Sequence, residues 1–128
     1  MKGALILDTS VLIALFERHV ALDTLLETAA SGLCVVPECV LSELKRKKDV
    51  AAKAALALAY TLPSCRTVMK GDDGVLEAAE KMKAHAVVTN DRELAARASH
   101  AGFAVLLLNR NRRFVYYKTG EIEAEGSV

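Results

Sequence analysis

Of the 16 acidic residues in this 128-residue chain, two stand where a carboxylate has little structural duty and much chemical use. Asp8 follows the apolar run Ala4-Leu5-Ile6-Leu7, and Asp91 follows Ala86-Val87-Val88-Thr89-Asn90. Short continuous apolar runs suit strands buried on both faces of a parallel sheet. In open α/β sheets, ligands sit beyond the carboxyl ends of the strands. If the two strands are parallel, both carboxylates reach one edge. Like charges gathered there disfavour one another unless something positive intervenes. Helix capping does not account for either. Thr9 and Ser10 lie nearer the first helix than Asp8 does, and Asn90 with Glu93 makes a capping-box-like pair that leaves Asp91 spare.

Pattern alone favours a structural role for Glu43 and leaves Asp72 and Asp73 open. Glu43 lies within an expected helix with Lys47 four residues on, the spacing of a surface ion pair worth about 0.3–0.5 kcal/mol. Asp72 and Asp73 precede a helix. One is expected to cap it, the other is free, and the pattern does not say which.

Rival chemistries find less support. His19, His85 and His100 have no metal-ligand spacing, and Cys34, Cys39 and Cys65 form no CxxC pair. Cys34, between Leu33 and Val35, reads as a core residue. Glu77 and Glu80, with Lys81 and Lys83, read as a solvated helix face. An aspartyl-nucleophile phosphatase wants a second Asp at position 10, where Ser10 stands. No glycine-rich phosphate loop occurs. The net charge of +1 means that any nucleic-acid contact needs a local basic patch. Two are available: Lys45-Arg46-Lys47-Lys48, and Arg110, Arg112 and Arg113 with Lys118. Tyr116 and Tyr117 are able to stack on bases, or to pack a hairpin against the domain.

The elements that must hold these residues alternate. Strands are expected at 4–7, 33–36, 86–89 and 104–108, with a weaker one at Arg66-Thr67-Val68. Helices are expected at 11–18, 21–30, 50–62 and 90–100, from Pro37 to about Lys47, and from Asp72 or Asp73 to about Ala84, with Gly32 and Gly102 as stops. A hairpin around Lys118-Thr119-Gly120 is expected to close the chain. Alternation of this kind means a three-layer α/β/α fold with a central, mainly parallel sheet. The length and the 52% hydrophobic content suit a single domain over residues 1–128. Asp8 interrupts the only signal-like stretch, and the segment 50–62 is too short to span a bilayer and carries Lys53. A soluble, cytoplasmic protein is expected.

Four pieces, in order, resemble the PIN-domain nucleases. They are the strand ending in Asp8-Thr9-Ser10, Val40-Leu41-Ser42-Glu43-Leu44, Asp72-Asp73-Gly74-Val75-Leu76, and Val88-Thr89-Asn90-Asp91-Arg92-Glu93-Leu94. Each is weak alone; the ordered set, from Leu5 to about Tyr117, is more specific. The resemblance implies an endoribonuclease whose carboxylates Asp8, Glu43, Asp73 and Asp91 hold Mg²⁺ or Mn²⁺. Asp73 is chosen because it stands sixteen residues before Thr89; Asp72 is then its neighbour or a cap. Thr9, Ser10, Thr89 and Asn90 would be supporting polar residues. Lys45, Arg46, Lys47, Lys48, Arg110, Arg112 and Arg113 would grip RNA. Two branches of the family compete: nucleases that cleave ribosomal RNA precursors, here favoured, and VapBC-type toxins silenced by an antitoxin peptide. Partners would be RNA, an antitoxin or ribosome-assembly partner, and a second copy of the chain, with Val11 to Phe16 a candidate dimer face. The non-enzyme rival is a catalytically dead, RNA-binding PIN-like module.

Overall fold

A computed structural model of the chain describes residues 3–30 and 32–118. In chain order the elements are β1 (Ala4–Leu7), α1 (Thr9–Glu17), α2 (Leu22–Thr28), β2 (Leu33–Pro37), α3 (Glu38–Arg46) and α4 (Val50–Ala59). They continue with β3 (Ser64–Cys65), α5 (Gly71–Lys81), β4 (Ala86–Val88), α6 (Arg92–His100), β5 (Ala104–Leu108) and β6 (Phe114–Tyr116). The strands form one sheet in the order β3-β2-β1-β4-β5-β6. All neighbours pair parallel except β5 and β6, which are antiparallel.

The order dictates the layers. From β1 the chain steps outward to β2 and β3, then turns back past β1 to β4 and β5. Right-handed crossovers then put α1 to α4 on one face and α5 and α6 on the other. The contacts of α1 with α3 and α4 agree with that assignment. Ala52, Ala55 and Ala59 are buried, so the alanines of α4 let that helix lie close against its neighbours. β1 is buried at every position, which explains a strand with no polar alternation.

Several local expectations are corrected. The third strand lies at Ser64–Cys65, just before the expected Arg66-Thr67-Val68. Thr67 instead accepts a hydrogen bond from the Cys39 N–H, and Val68 and Met69 bond to Glu77, so the segment's donors go to side chains and not to a ladder. Pro37 ends β2 and is the N-cap of α3, with φ −61° and ψ 147°; its ψ is extended, so the helix starts one residue later. α2 ends before a left-handed Ala30 (φ 57°), and not at Gly32. The antiparallel hairpin is made by β5 and β6 around Asn109 to Arg113; the expected turn at Lys118-Thr119-Gly120 falls at and beyond the end of the described residues. Val11, Leu12, Ala14 and Leu15 are core residues under α3 and α4, leaving only Ile13 and Phe16 of the proposed dimer face near the surface. Cys34 is buried in the core, as expected.

One glycine is required by packing. A Cβ on Gly74 would lie 2.5 Å from Cys39 Sγ and 2.6 Å from the Met69 carbonyl oxygen. The first turn of α5 therefore approaches α3 as closely as it does because position 74 has no side chain. Among the described residues, no helix is long and apolar enough to cross a membrane.

Candidate active site

The strand order reverses between β1 and β4, the crevice where open α/β sheets bind ligands. Leu7 pairs with Val88, so the residues that follow, Asp8 and Thr89, emerge side by side. The Asp8 N–H donates to the Val88 carbonyl at 3.0 Å, carrying the pairing one residue past the strand. Asp8 is only 8% exposed, and Thr89 is fully buried.

The chemistry of this buried carboxylate is set by two hydroxyls. Ser10 Oγ donates to Asp8 Oδ2 at 2.8 Å, and Thr89 Oγ1 donates to the same oxygen at 2.7 Å. The hydroxyls are themselves held as acceptors: Ser10 Oγ takes the Asn90 N–H at 2.9 Å, and Thr89 Oγ1 takes the Asp91 N–H at 3.0 Å. Burying a carboxylate is costly unless it is hydrogen-bonded. Here the donors crowd onto one oxygen.

The other sequence-selected residues take different positions. Thr9 Oγ1 donates to Glu43 Oε1 at 3.1 Å, so Glu43 turns toward the start of α1. Lys47 is the extended C-cap of α3, so the two residues do not share a regular helical face. Asp91 is the N-cap of α6: its Oδ1 accepts from the Glu93 and Leu94 N–H groups at 2.9 and 3.3 Å. The expected cap, Asn90, instead uses Oδ1 to accept the Leu108 N–H, tying the site to β5. Thr9 and Ser10 lie inside α1 and do not cap it; Asp8 holds the N-cap position, but its side chain bonds to hydroxyls. Neither Asp72 nor Asp73 caps α5. The N-cap is Lys70, and both aspartates sit in the first turn.

Those two aspartates face different surroundings. Asp73 meets Arg97 of α6, with Oδ1 2.6 Å from Nη2, while Asp72 Oδ2 lies 4.0 Å from Nη1. The Asp72 carboxyl titrates above the ordinary carboxylate range. Burial is the main cause, followed by the negative charges of Asp91 and Asp8; Arg97 pulls the other way. Burial likewise raises the Cys39 thiol, with a lesser push from Asp8. Asp8, Asp72 and Asp91 thus share one electrostatic field. Among the described residues, no three His, Cys, Asp or Glu side chains already converge as a coordination group. The carboxylates instead take hydroxyl, backbone and guanidinium partners. The donor set is nonetheless all oxygen, the set that Mg²⁺ or Mn²⁺ takes.

Beside Glu43 a cleft of about 180 Å³ opens between α3 and the loop before α5, with Arg46, Thr67, Met69 and Lys70 on its walls. Of the basic run, Arg46 faces this cleft, while Lys45 stacks its ammonium 5.8 Å from the Tyr60 ring centroid. Arg110, Arg112 and Arg113 lie in the β5–β6 turn, and Arg112 donates to the His19 carbonyl. Tyr117 packs against the core and Tyr116 is exposed.

Sequence reasoning missed Arg97 and read Glu77 only as part of a solvated helix face. Arg97 stands 24 residues from Asp73, and only the path through β4 into α6 brings them together. Glu77 is no idle surface residue. It accepts the Val68 and Met69 N–H groups, which lowers its pKa and fixes the loop that lines the cleft. Neither has a local sequence signal.

The comparisons with known proteins bear on the family and the fold. Residues 5–112 match the PIN like domain family, and the chain belongs to it. It is similar to Ribonuclease VapC9 of Archaeoglobus fulgidus, with 37% identity over 70 residues, 55% of this chain and 51% of that protein. The match thus spans about half the length of that curated relative. The fold is similar to the PIN domain endonuclease Utp24, with a TM-score of 0.76 over 88% of this chain and 90% of that one. The identity there is 21%, so this likeness concerns the fold.

Proposed function

We propose that this chain is a metal-dependent endoribonuclease that hydrolyses RNA phosphodiester bonds within one domain over residues 1–128. The observation that carries the reading is Asp8: a carboxylate buried at the switch point of the sheet, oriented by Ser10 and Thr89 through a single oxygen. Family membership and the ribonuclease relative support the same chemistry.

Asp8, Glu43, Asp73 and Asp91 would hold Mg²⁺ or Mn²⁺, with Asp72 adding to the negative field. When bound, such an ion supplies an activated water and neutralises charge on the phosphate. The remaining work falls to the chain. Ser10 and Thr89 fix the Asp8 carboxylate. Asp91 is held in place by its capping bonds to α6. Thr9 positions Glu43. Arg46, with the exposed lysines around it, and the Arg110-to-Arg113 turn would grip flanking phosphates, so RNA affinity should fall with salt.

Processing of ribosomal RNA precursors, in the cytoplasm and with an assembly partner, is the reading we favour, because Asp72-Asp73, Thr89 to Leu94 and the basic Leu108 to Arg112 stretch resemble that branch of the family. The VapC9 relative favours a second one, a toxin ribonuclease silenced by an antitoxin. In either case a homodimer is the expected assembly.

The test is cleavage of labelled structured and single-stranded RNAs in Mn²⁺, Mg²⁺ or EDTA. Hydrolysis by an activated water that expels the 3′-oxygen leaves a 5′-phosphate and a 3′-hydroxyl, whereas attack by the RNA's own 2′-hydroxyl expels the 5′-oxygen and leaves a cyclic phosphate. Metal-dependent cleavage with 5′-phosphate ends is the expected result. Cleavage in EDTA with cyclic ends would overturn the reading.

A further inference from the structure

Arg97 brings a positive charge to the two aspartates in the first turn of α5. Its guanidinium spans from α6 to the first turn of α5, 2.6 Å from Asp73 and 4.0 Å from Asp72. α6 is the same helix that Asp91 caps, so Arg97 and Asp91 are fixed relative to one another by one rigid element. The first turn of α5 does not need this partner, because acidic residues at a helix N-terminus are already favoured by its dipole. Nor does the pair add much to stability, since the Arg97 side chain is 47% exposed. What it does is set a positive charge against Asp73 and against Asp72, which also feels the negative charges of Asp91 and Asp8.

We propose that Arg97 is a built-in counter-ion of the carboxylate site, held on Asp73 and Asp72 until a divalent cation competes for the same oxygens. The inference rests on the metal-dependent function proposed above. A guanidinium and a divalent ion drawn to the same Asp73 carboxylate repel one another, so a bound ion would loosen the Arg97 pair. Arg97 therefore weakens metal binding while keeping the metal-free carboxylates from repelling one another. It acts through the aspartates and is a positioning residue. Lysine would keep the charge but lose the planar fork that lets one side chain serve two carboxylates.

The test is Mn²⁺ binding to the metal-free protein by titration calorimetry, for the wild type, Arg97→Gln and Arg97→Lys, with Lys53→Gln at an exposed position of α4 as a charge control. Circular dichroism checks that each variant is folded. Arg97→Gln should bind Mn²⁺ roughly two- to five-fold more tightly than wild type, the scale of one exposed ion pair that no longer has to be broken. Arg97→Lys should fall between, and Lys53→Gln should match wild type. If Arg97→Gln does not fold, Arg97→Lys decides by binding more tightly than wild type. Equal or weaker binding by the Arg97 variants, with a wild type that does bind, overturns the counter-ion and leaves the metal site standing. A wild type that binds no Mn²⁺ overturns both.

Discussion

Thr89 Oγ1 donates to Asp8 Oδ2 at 2.7 Å and accepts the Asp91 N–H at 3.0 Å. A single buried hydroxyl thus couples the carboxylate after β1 to the turn that carries the carboxylate after β4. Replacing Thr89 with valine keeps the shape and removes both bonds. Unmade buried hydrogen bonds cost about 1–3 kcal/mol, so Thr89→Val should lose that much stability in urea unfolding, while Thr89→Ser loses less. Cleavage should fall further in the valine variant than in the serine one. Equal stability of wild type and Thr89→Val would contradict the coupling.

Asp91 has two duties that substitution can separate. As the N-cap of α6 it accepts two backbone N–H groups; as a proposed ligand it supplies charge. Asparagine is as good a cap as aspartate, and alanine costs about 1 kcal/mol. Asp91→Asn should therefore keep its thermal midpoint but lose RNA cleavage, whereas Asp91→Ala loses both. An active Asp91→Asn would reduce this residue to a cap.

How much of this was legible beforehand follows from the range of each signal. β1 and β4 announced themselves because strands buried on both faces must be apolar throughout, and Asp8 stood out by ending such a run. The family resemblance then pointed to Glu43, which pattern alone assigned to Lys47. What could not be read were the partners. Asp91 took the cap expected of Asn90 because Asn90 had a better use, closing the Leu108 N–H on the neighbouring strand. That use depends on β5 lying beside β4, a fact of topology. The Arg97 and Glu77 contacts likewise depend on the placement of a loop and a helix that local composition does not encode.

Gly74 tests the packing of α5 on α3. A methyl at this position meets Cys39 Sγ and the Met69 carbonyl well inside contact distance, and one of these neighbours is backbone. Overpacking of this kind typically costs about 1–3 kcal/mol. Gly74→Ala should be destabilised by that amount in denaturant unfolding, and its displaced α5 should lower cleavage. A Gly74→Ala variant of unchanged stability would show that the helix shifts freely.

Asp72 gives a pH signature. Its carboxyl is raised in the folded protein, chiefly by burial and then by Asp91 and Asp8, so the native state holds this proton more tightly than the unfolded chain. Stability linked to it is therefore lost as pH rises from the unfolded value, about 3.9, through the raised folded one. Asp72→Asn carries no such charge. In EDTA it should be the more stable protein at pH 7, with the difference closing below about pH 4. Thermal unfolding at both pH values checks this, and a difference independent of pH would contradict it.

The central claim is that Asp8 serves the chemistry and not merely the fold. The direct measurement is the cleavage rate of a labelled structured RNA in Mn²⁺ by the wild type and by Asp8→Asn, with thermal midpoints taken on the same samples. Asp8→Asn should fold normally and cleave at least about 100-fold more slowly, the scale of losing one group that stabilises charge at a reacting centre. A folded Asp8→Asn that cleaves at the wild-type rate would place the active site elsewhere.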